Sequence, residues 1–164
     1  MRIVVLGVGN ILLSDEGVGV RAVERLQSDY QLPLDIEVID GGTSAMEMLD
    51  DLANADHLII VDAVRGGRAP ATMIRIADEE VPIFFKTKLS PHQIGLSDVL
   101  ATLSLMGERP RGITVIGVEP ASLDTAMALT PQVQAVLPKV VEQVVKELRQ
   151  LGQVVVARNV AEAI

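Results

Sequence analysis

The chain has 164 residues, a length that fits one domain able to bury a hydrophobic core without disulfides or a structural metal. It contains no cysteine, which excludes a disulfide framework, a thiolate metal site and a cysteine nucleophile. A net charge of -8 without clustered Lys and Arg argues against nucleic acid as a partner. Because 49% of the residues are hydrophobic but only 2% are aromatic, the core must be aliphatic, as in a parallel sheet covered by helices.

The first apolar run predicts a strand and not a targeting segment. It spans residues 3–6, directly after Met1-Arg2, and is too short for a signal peptide. No later run approaches the roughly 20 apolar residues of a membrane span. We therefore expect a cytoplasmic, soluble protein that has no membrane partner.

Strand and helix patterns alternate along the chain. The predicted strands are residues 3–6, 34–39, 58–61, 72–76 and 113–118. Helical spacing predicts a helix from after Gly19 to about Asp29, one capped by Ser44 that carries Leu49 and Leu52, one that buries Leu96 to Leu103, and one from Thr130 to Leu148. The fourth strand mixes polar and apolar positions and is expected nearer an edge.

Two stretches do not follow this alternation. Residues 79–92 contain two prolines and show no clear period, so an irregular segment is expected there. Pro138 is expected to break or kink the last helix. The pattern as a whole predicts an α/β fold, with an open, mostly parallel five-stranded sheet and helices on both faces. Residues 1–152 form its single domain, and the tail 153–164 is left unassigned.

Acidic residues follow three of the predicted strands. Strand one leads into Asp15-Glu16, strand two ends at Asp40 and strand three ends at Asp62. Ligands of such folds bind outside the carboxyl ends of the strands, so these positions are expected on one rim, with His92 nearby. Two carboxylates and a histidine suit nickel, zinc or manganese, although each residue alone has an ordinary structural explanation.

The same part of the sequence fits a dinucleotide site or a serine nucleophile less well. Gly7-Val8-Gly9 after a strand resembles the start of a dinucleotide fingerprint, but Leu12 stands at its third glycine position, and carboxylates near the helix start would repel a pyrophosphate. No serine lies in a nucleophile-elbow pattern. The second histidine, His57, precedes strand three at the opposite end and is expected to be structural. Phe84-Phe85 fits either the core or an exposed anchor for a protein partner.

A longer stretch, from Gly7 to Gly19, reads GVGNILLSDEGVG and resembles the amino-terminal signature of the nickel-iron hydrogenase maturation endopeptidases. Further pieces that agree in order are Asp40-Gly41-Gly42-Thr43, Asp62-Ala63, Ser90-Pro91-His92-Gln93-Ile94-Gly95 and Gly117-Val118-Glu119-Pro120. The resemblance covers roughly residues 1–150. It implies a protease that removes a carboxyl-terminal extension from the hydrogenase large-subunit precursor after nickel insertion.

The resemblance places the family's metal-contacting residues on Glu16, Asp62 and His92, and Asp40 matches a position at the same cleft. We hypothesise that the three residues contact nickel that the precursor already carries, so that they need not form a permanent metal site. The metal either activates water or the scissile carbonyl, with Glu16 or Asp62 taking a proton, or it only positions the extension. Residues 79–91 are a plausible docking surface for the large subunit. The alternative function is a Rossmann-like nucleotide-binding or assembly module without protease activity.

Overall fold

The computed structural model describes residues 1–84 and 91–158. Its strands are β1 Ile3–Val8, β2 Tyr30–Gln31, β3 Ile36–Gly42, β4 His57–Ala63, β5 Met73–Ala77, β6 Gly112–Val118 and β7 Val156–Ala157. Its α-helices are α1 Val18–Asp29, α2 Leu49–Leu52, α3 Glu80–Phe84, α4 Pro91–Leu105 and α5 Pro131–Gln150, and 3-10 turns span Ser14–Gly17 and Ala45–Met48.

Five of the strands form one sheet in the order β3-β1-β4-β6-β5. The first four are parallel to one another, and β5 pairs antiparallel with β6 at the edge. Every residue of β1 is buried, as expected for a strand covered on both faces. The five-stranded, mostly parallel sheet predicted from the sequence is therefore confirmed, including the edge position of its fourth predicted strand.

Helices cover both faces of this sheet, as predicted. Successive side chains of β1 point to opposite faces: Ile3 and Val5 join the apolar cluster under α1 and α5, whereas Val4 and Leu6 join the cluster under α4. The helices thus pack on the two faces of the sheet, and the carboxyl ends of its four parallel strands lie along one edge.

The last helix continues through Pro138, so the predicted break is wrong, while a kink at that residue stays a prediction. Thr130 caps the helix through Val133 N–H and Pro131 begins it, as expected from the sequence. Pro138 lies on the exposed side of α5, where water can bond the carbonyl that loses its helical partner.

Two other segments differ from the sequence prediction. The helix expected after Ser44 is a 3-10 turn followed by the single turn of α2, and the Ser44 side chain makes no capping hydrogen bond. The stretch predicted as irregular is partly helical, because it contains α3 and the start of α4. Pro82 and Pro91 lie in the first turns of these helices, where proline is tolerated. Residues 85–90 lie outside the described part of the chain.

The segment after Gly152, left unassigned from the sequence, returns to the domain. Val155 is buried in the same cluster as α5, and its carbonyl accepts a hydrogen bond from Arg149 Nη2 at 2.8 Å. β7 then pairs antiparallel with β2. The chain is thus packed as far as Arg158, and residues 159–164 are not described.

Candidate active site

Glu16 lies in the 3-10 turn Ser14–Gly17, which connects β1 to α1. Its side chain is half-buried, and its backbone N–H donates to the Leu13 carbonyl at 3.2 Å. Gly9 lets this turn lie against the end of β1, since its φ is +127° and a Cβ there would collide with the Glu16 carbonyl oxygen. Gly9 thus allows the turn that carries Glu16 to pack against the end of β1.

The neighbouring residue, Asp15, is fully buried and has a different role. Its Oδ2 accepts hydrogen bonds from Ala121 N–H at 2.8 Å, from Ser122 N–H at 3.2 Å and from the Thr130 hydroxyl at 2.8 Å. Its Oδ1 accepts from Thr130 N–H at 2.8 Å. Asp15 therefore links the turn that carries Glu16 to the segment after β6 and to Thr130, the N-cap residue of α5.

Two more glycines of the amino-terminal motif permit close backbone packing. A Cβ on Gly19 would lie 2.6 Å from the Val8 carbonyl oxygen and would also collide with the Val61 carbonyl. A Cβ on Gly7 would in turn collide with the Gly19 carbonyl. The start of α1 is consequently held against the ends of β1 and β4, which accounts for the glycine pattern without a bound dinucleotide.

Asp62 is the second-last residue of β4 and is only 1% exposed. It lies opposite Gly117 of β6, and the 3-10 turn that carries Glu16 packs against β4. The fold thus brings the elements that carry Glu16 and Asp62 together at the carboxyl ends of adjacent parallel strands. Both residues thus lie at the rim that the order of strands and acidic residues predicts.

The loop after Asp62 is braced by a second buried carboxylate, Glu119, which directly follows β6. Its two oxygens accept hydrogen bonds from Gly66 N–H at 2.8 Å and Gly67 N–H at 3.1 Å. Gly67 has a φ of +75°, which explains a glycine at that point of the turn. In the sequence Glu119 is recognisable only as part of the motif Gly117-Val118-Glu119-Pro120, because its hydrogen-bond partners lie 52 to 53 positions away.

Asp40 lies at the carboxyl end of β3, on the same rim but one strand farther out. Its register partner in β1 is Gly7, so β1 separates it from the strand that carries Asp62. The side chain is exposed, and its Oδ1 accepts a hydrogen bond from Gly42 N–H at 3.1 Å. Asp40 is therefore at the edge of the rim that Glu16 and Asp62 share.

His92 is the second residue of α4, and its side chain lies outside the described part of the structure. The helix itself packs against the 3-10 turn Ala45–Met48 that follows β3. Among the side chains that are described, no group of three His, Asp or Glu residues is arranged to hold a metal ion. A ligand set of Glu16, Asp62 and His92 thus stays a prediction.

His57 lies at the opposite end of the sheet, at the first position of β4, as expected for a structural residue. Its Nε2 is 2.9 Å from Thr114 Oγ1 on the neighbouring strand β6. Burial lowers the pKa of His57, against the opposing effect of the nearby Asp78 and Glu147 carboxylates. Burial therefore disfavours the charged form of this ring, which lies at the end of the sheet opposite the candidate site.

Comparisons with known proteins agree with this arrangement of strands and motifs. A family model described as hydrogenase maturation protease matches residues 20–147. The hydrogenase 2 maturation protease of Escherichia coli is 52% identical over 160 residues, which cover 97% of this chain and 98% of that protein. A hydrogenase expression/formation protein HupD of Thiocapsa roseopersicina is 42% identical, over 96% of this chain and 72% of its own length.

Solved structures show the same relationship. The hydrogenase maturating endopeptidase HybD from E. coli superimposes with a TM-score of 0.94 at 52% identity, covering 96% of this chain and 98% of that one. The [NiFe] hydrogenase maturation protease HybD from Thermococcus kodakarensis reaches 0.75 at 26% identity, over 89% and 98% of the two chains. Within residues 1–84 and 91–158, no helix is long and apolar enough to cross a membrane. The chain belongs to the hydrogenase maturation proteases, a family of peptidases.

Proposed function

We propose that this peptidase removes the carboxyl-terminal extension of a nickel-iron hydrogenase large-subunit precursor after nickel has been inserted. The observation that carries the proposal is the position of Glu16 and Asp62 on touching elements at the carboxyl edge of the sheet. Ligands of open α/β sheets bind at this edge, which supports it as the place where the polypeptide is held. We expect the reaction to take place in the cytoplasm.

The nickel belongs to the substrate in this proposal. Carboxylate oxygens and an imidazole nitrogen are suitable nickel ligands, so Glu16, Asp62 and His92 would contact the ion and thereby detect that it has been inserted. When it is present, the metal supplies Lewis-acid chemistry or a fixed position for the extension. The oxygen of Glu16 or Asp62 that is not bound to the ion would take a proton from the attacking water.

The rigidity of the rim supports this role. Asp15 holds the turn that carries Glu16, and Glu119 holds the loop that follows Asp62. Both braces act on backbone N–H groups, which supports a rim whose backbone is fixed before a substrate arrives. A preorganised pair loses little entropy when the metal and the peptide bind.

The test mixes the protein with nickel-loaded and with nickel-free precursor and follows the mass of the large subunit. We expect cleavage of the nickel-loaded form only, and a loss of at least 100-fold in rate for Asp62→Asn and His92→Ala, as is typical when a group that acts in the transition state is removed. Asp35→Asn serves as the control, because Asp35 is exposed in the turn before β3. Equal cleavage rates for the nickel-loaded and the nickel-free precursor, or an undiminished rate in His92→Ala, would overturn the proposed metal recognition.

A nucleotide titration addresses the alternative function. Tight nucleotide binding that persists in Asp62→Ala, together with an intact precursor, would favour an assembly or nucleotide-binding module. We expect no such binding, since the space near the start of α1 is taken by the backbone packing of Gly7 and Gly19.

A further inference from the structure

Two loop segments run side by side next to Glu16, residues 10–14 and residues 121–130. Ser14 N–H donates to the Ala126 carbonyl at 2.8 Å, Ala126 N–H donates to the Leu12 carbonyl at 3.0 Å, and Leu13 and Ala126 form a parallel β-bridge. The Ser14 hydroxyl donates to the Asp124 carbonyl at 2.5 Å. The four bonds of the Asp15 carboxylate close the end of this loop pair, which is therefore one fixed surface.

This loop pair presents two large apolar side chains to solvent. Leu12 is 52% exposed and Met127 is 62% exposed. The backbone at Met127 is held as well, since its carbonyl accepts a hydrogen bond from Arg21 Nη2 on α1 at 3.0 Å. Single exposed apolar residues are common and need no explanation. These two differ because a bonded framework holds both of them beside the turn that carries Glu16.

We propose that Leu12 and Met127 are substrate-contacting residues, against which an apolar segment of the precursor packs next to the bond that is cleaved. The inference rests on the proposed function, because it takes the rim around Glu16 as the place where the polypeptide binds. The loop pair is continuous with the turn Ser14–Gly17, so it borders the place where a peptide would contact Glu16. Apolar side chains gain free energy by covering Leu12 and Met127, whereas charged side chains lose hydration there.

The test measures kcat and KM on nickel-loaded precursor for Leu12→Ser and for Met127→Ser. Covering a half-exposed leucine contributes roughly half of the free energy of burying the whole side chain, so each variant is expected to lose about tenfold in kcat/KM, mainly through a higher KM. Matched controls are Leu34→Ser and Leu105→Ser, which alter leucines that are 104% and 91% exposed before β3 and at the end of α4. They are expected to stay within twofold of the unaltered protein.

A second measurement separates binding from chemistry and from folding. In an Asp62→Asn background, the dissociation constant for nickel-loaded precursor is expected to rise about tenfold with Leu12→Ser, and Leu12→Met is expected to recover most of that loss. Thermal unfolding verifies that each variant is folded, which exposure of both side chains leads us to expect. If the unaltered protein leaves the precursor intact, the proposed function is wrong. If it cleaves, but both loop-pair variants behave like the leucine controls, only the inference about Leu12 and Met127 is overturned.

Discussion

Replacing Asp15 by asparagine tests how much the buried brace contributes to stability. The substitution keeps the volume of the side chain but turns one acceptor oxygen into an NH₂ donor. The least costly orientation places this nitrogen at the Oδ1 position, since Oδ1 accepts only from Thr130 N–H, whereas Oδ2 accepts three hydrogen bonds. One buried N–H then faces another donor.

The expected loss of stability in Asp15→Asn follows from the four hydrogen bonds that the carboxylate accepts. An unsatisfied buried donor costs about 1–3 kcal/mol, and the three remaining bonds weaken because their acceptor is no longer charged. The asparagine regains part of this, since a buried charge no longer has to be desolvated. We expect Asp15→Asn to lower the free energy of unfolding by about 3 kcal/mol, a large part of the 5–15 kcal/mol of an ordinary domain.

Urea unfolding followed by circular dichroism measures this loss, because the chain has no tryptophan and only one tyrosine for fluorescence. Thr130→Val removes one of the four donors and is expected to cost about 1–2 kcal/mol. In the double variant the combined loss of stability should be smaller than the sum of the two single losses, because Asp15→Asn already weakens the bond from the Thr130 hydroxyl to Oδ2 that Thr130→Val removes. A loss below about 1 kcal/mol for Asp15→Asn, with the exposed control Asp35→Asn unchanged, would refute the reasoning.

Three further predictions concern other parts of the fold. Arg75→Gln should lower the free energy of unfolding in urea by about 2 kcal/mol, since among the described residues it leaves the buried Glu147 carboxylate with Gln143 as its side-chain partner. The loss is expected to be smaller than for a fully buried pair because Arg75 is 48% exposed; a loss below about 0.5 kcal/mol would contradict the prediction. Gly19→Ala should lower the free energy of unfolding by about 3 kcal/mol or prevent folding, because the added Cβ would collide with carbonyls of β1 and β4. In Gly42→Ala the Cβ meets no atom within 4 Å, so the loss should be about 1 kcal/mol and come from the positive φ. Equal losses in thermal unfolding would argue against the close packing at Gly19. Because burial lowers the pKa of His57, the unfolded chain binds a proton at higher pH than the folded one, so the contribution of this residue to stability should be complete above about pH 6.5 and decrease as the pH falls below it. His57→Gln should flatten the stability profile below about pH 6.5, and an unchanged slope there would show that this residue is not its source.

Local sequence patterns were sufficient to predict the sheet and the rim at the carboxyl ends of its strands. The aliphatic runs of β1, β4 and β6 have no other stable location than a strand covered on both faces, so their burial could be predicted without a structure. The placement of Asp62 at a strand end follows from the same pattern. The motif that surrounds Glu16 also indicated the family, because its order of glycines and acids is specific.

Contacts between distant residues could not be predicted in this way. Asp15 and Glu16 are adjacent acidic residues that the local sequence does not distinguish. Asp15 is nevertheless fully buried and accepts four hydrogen bonds, whereas Glu16 is half-buried at the rim. The choice depends on donors 106 to 115 positions later in the chain. Pro138 likewise appeared to interrupt α5, and only its position on the exposed face explains why the helix continues.

The sequence by itself determined the alternation of strands and helices, the parallel sheet and the edge where Glu16 and Asp62 lie, because hydrophobic periodicity and strand ends are local properties of the chain. Tertiary structure decided which carboxylates brace backbone and which remain at the rim, because hydrogen-bond partners for Asp15 and Glu119 exist only once distant loops have packed together. It also brought residues 10–14 and 121–130 into one surface beside Glu16.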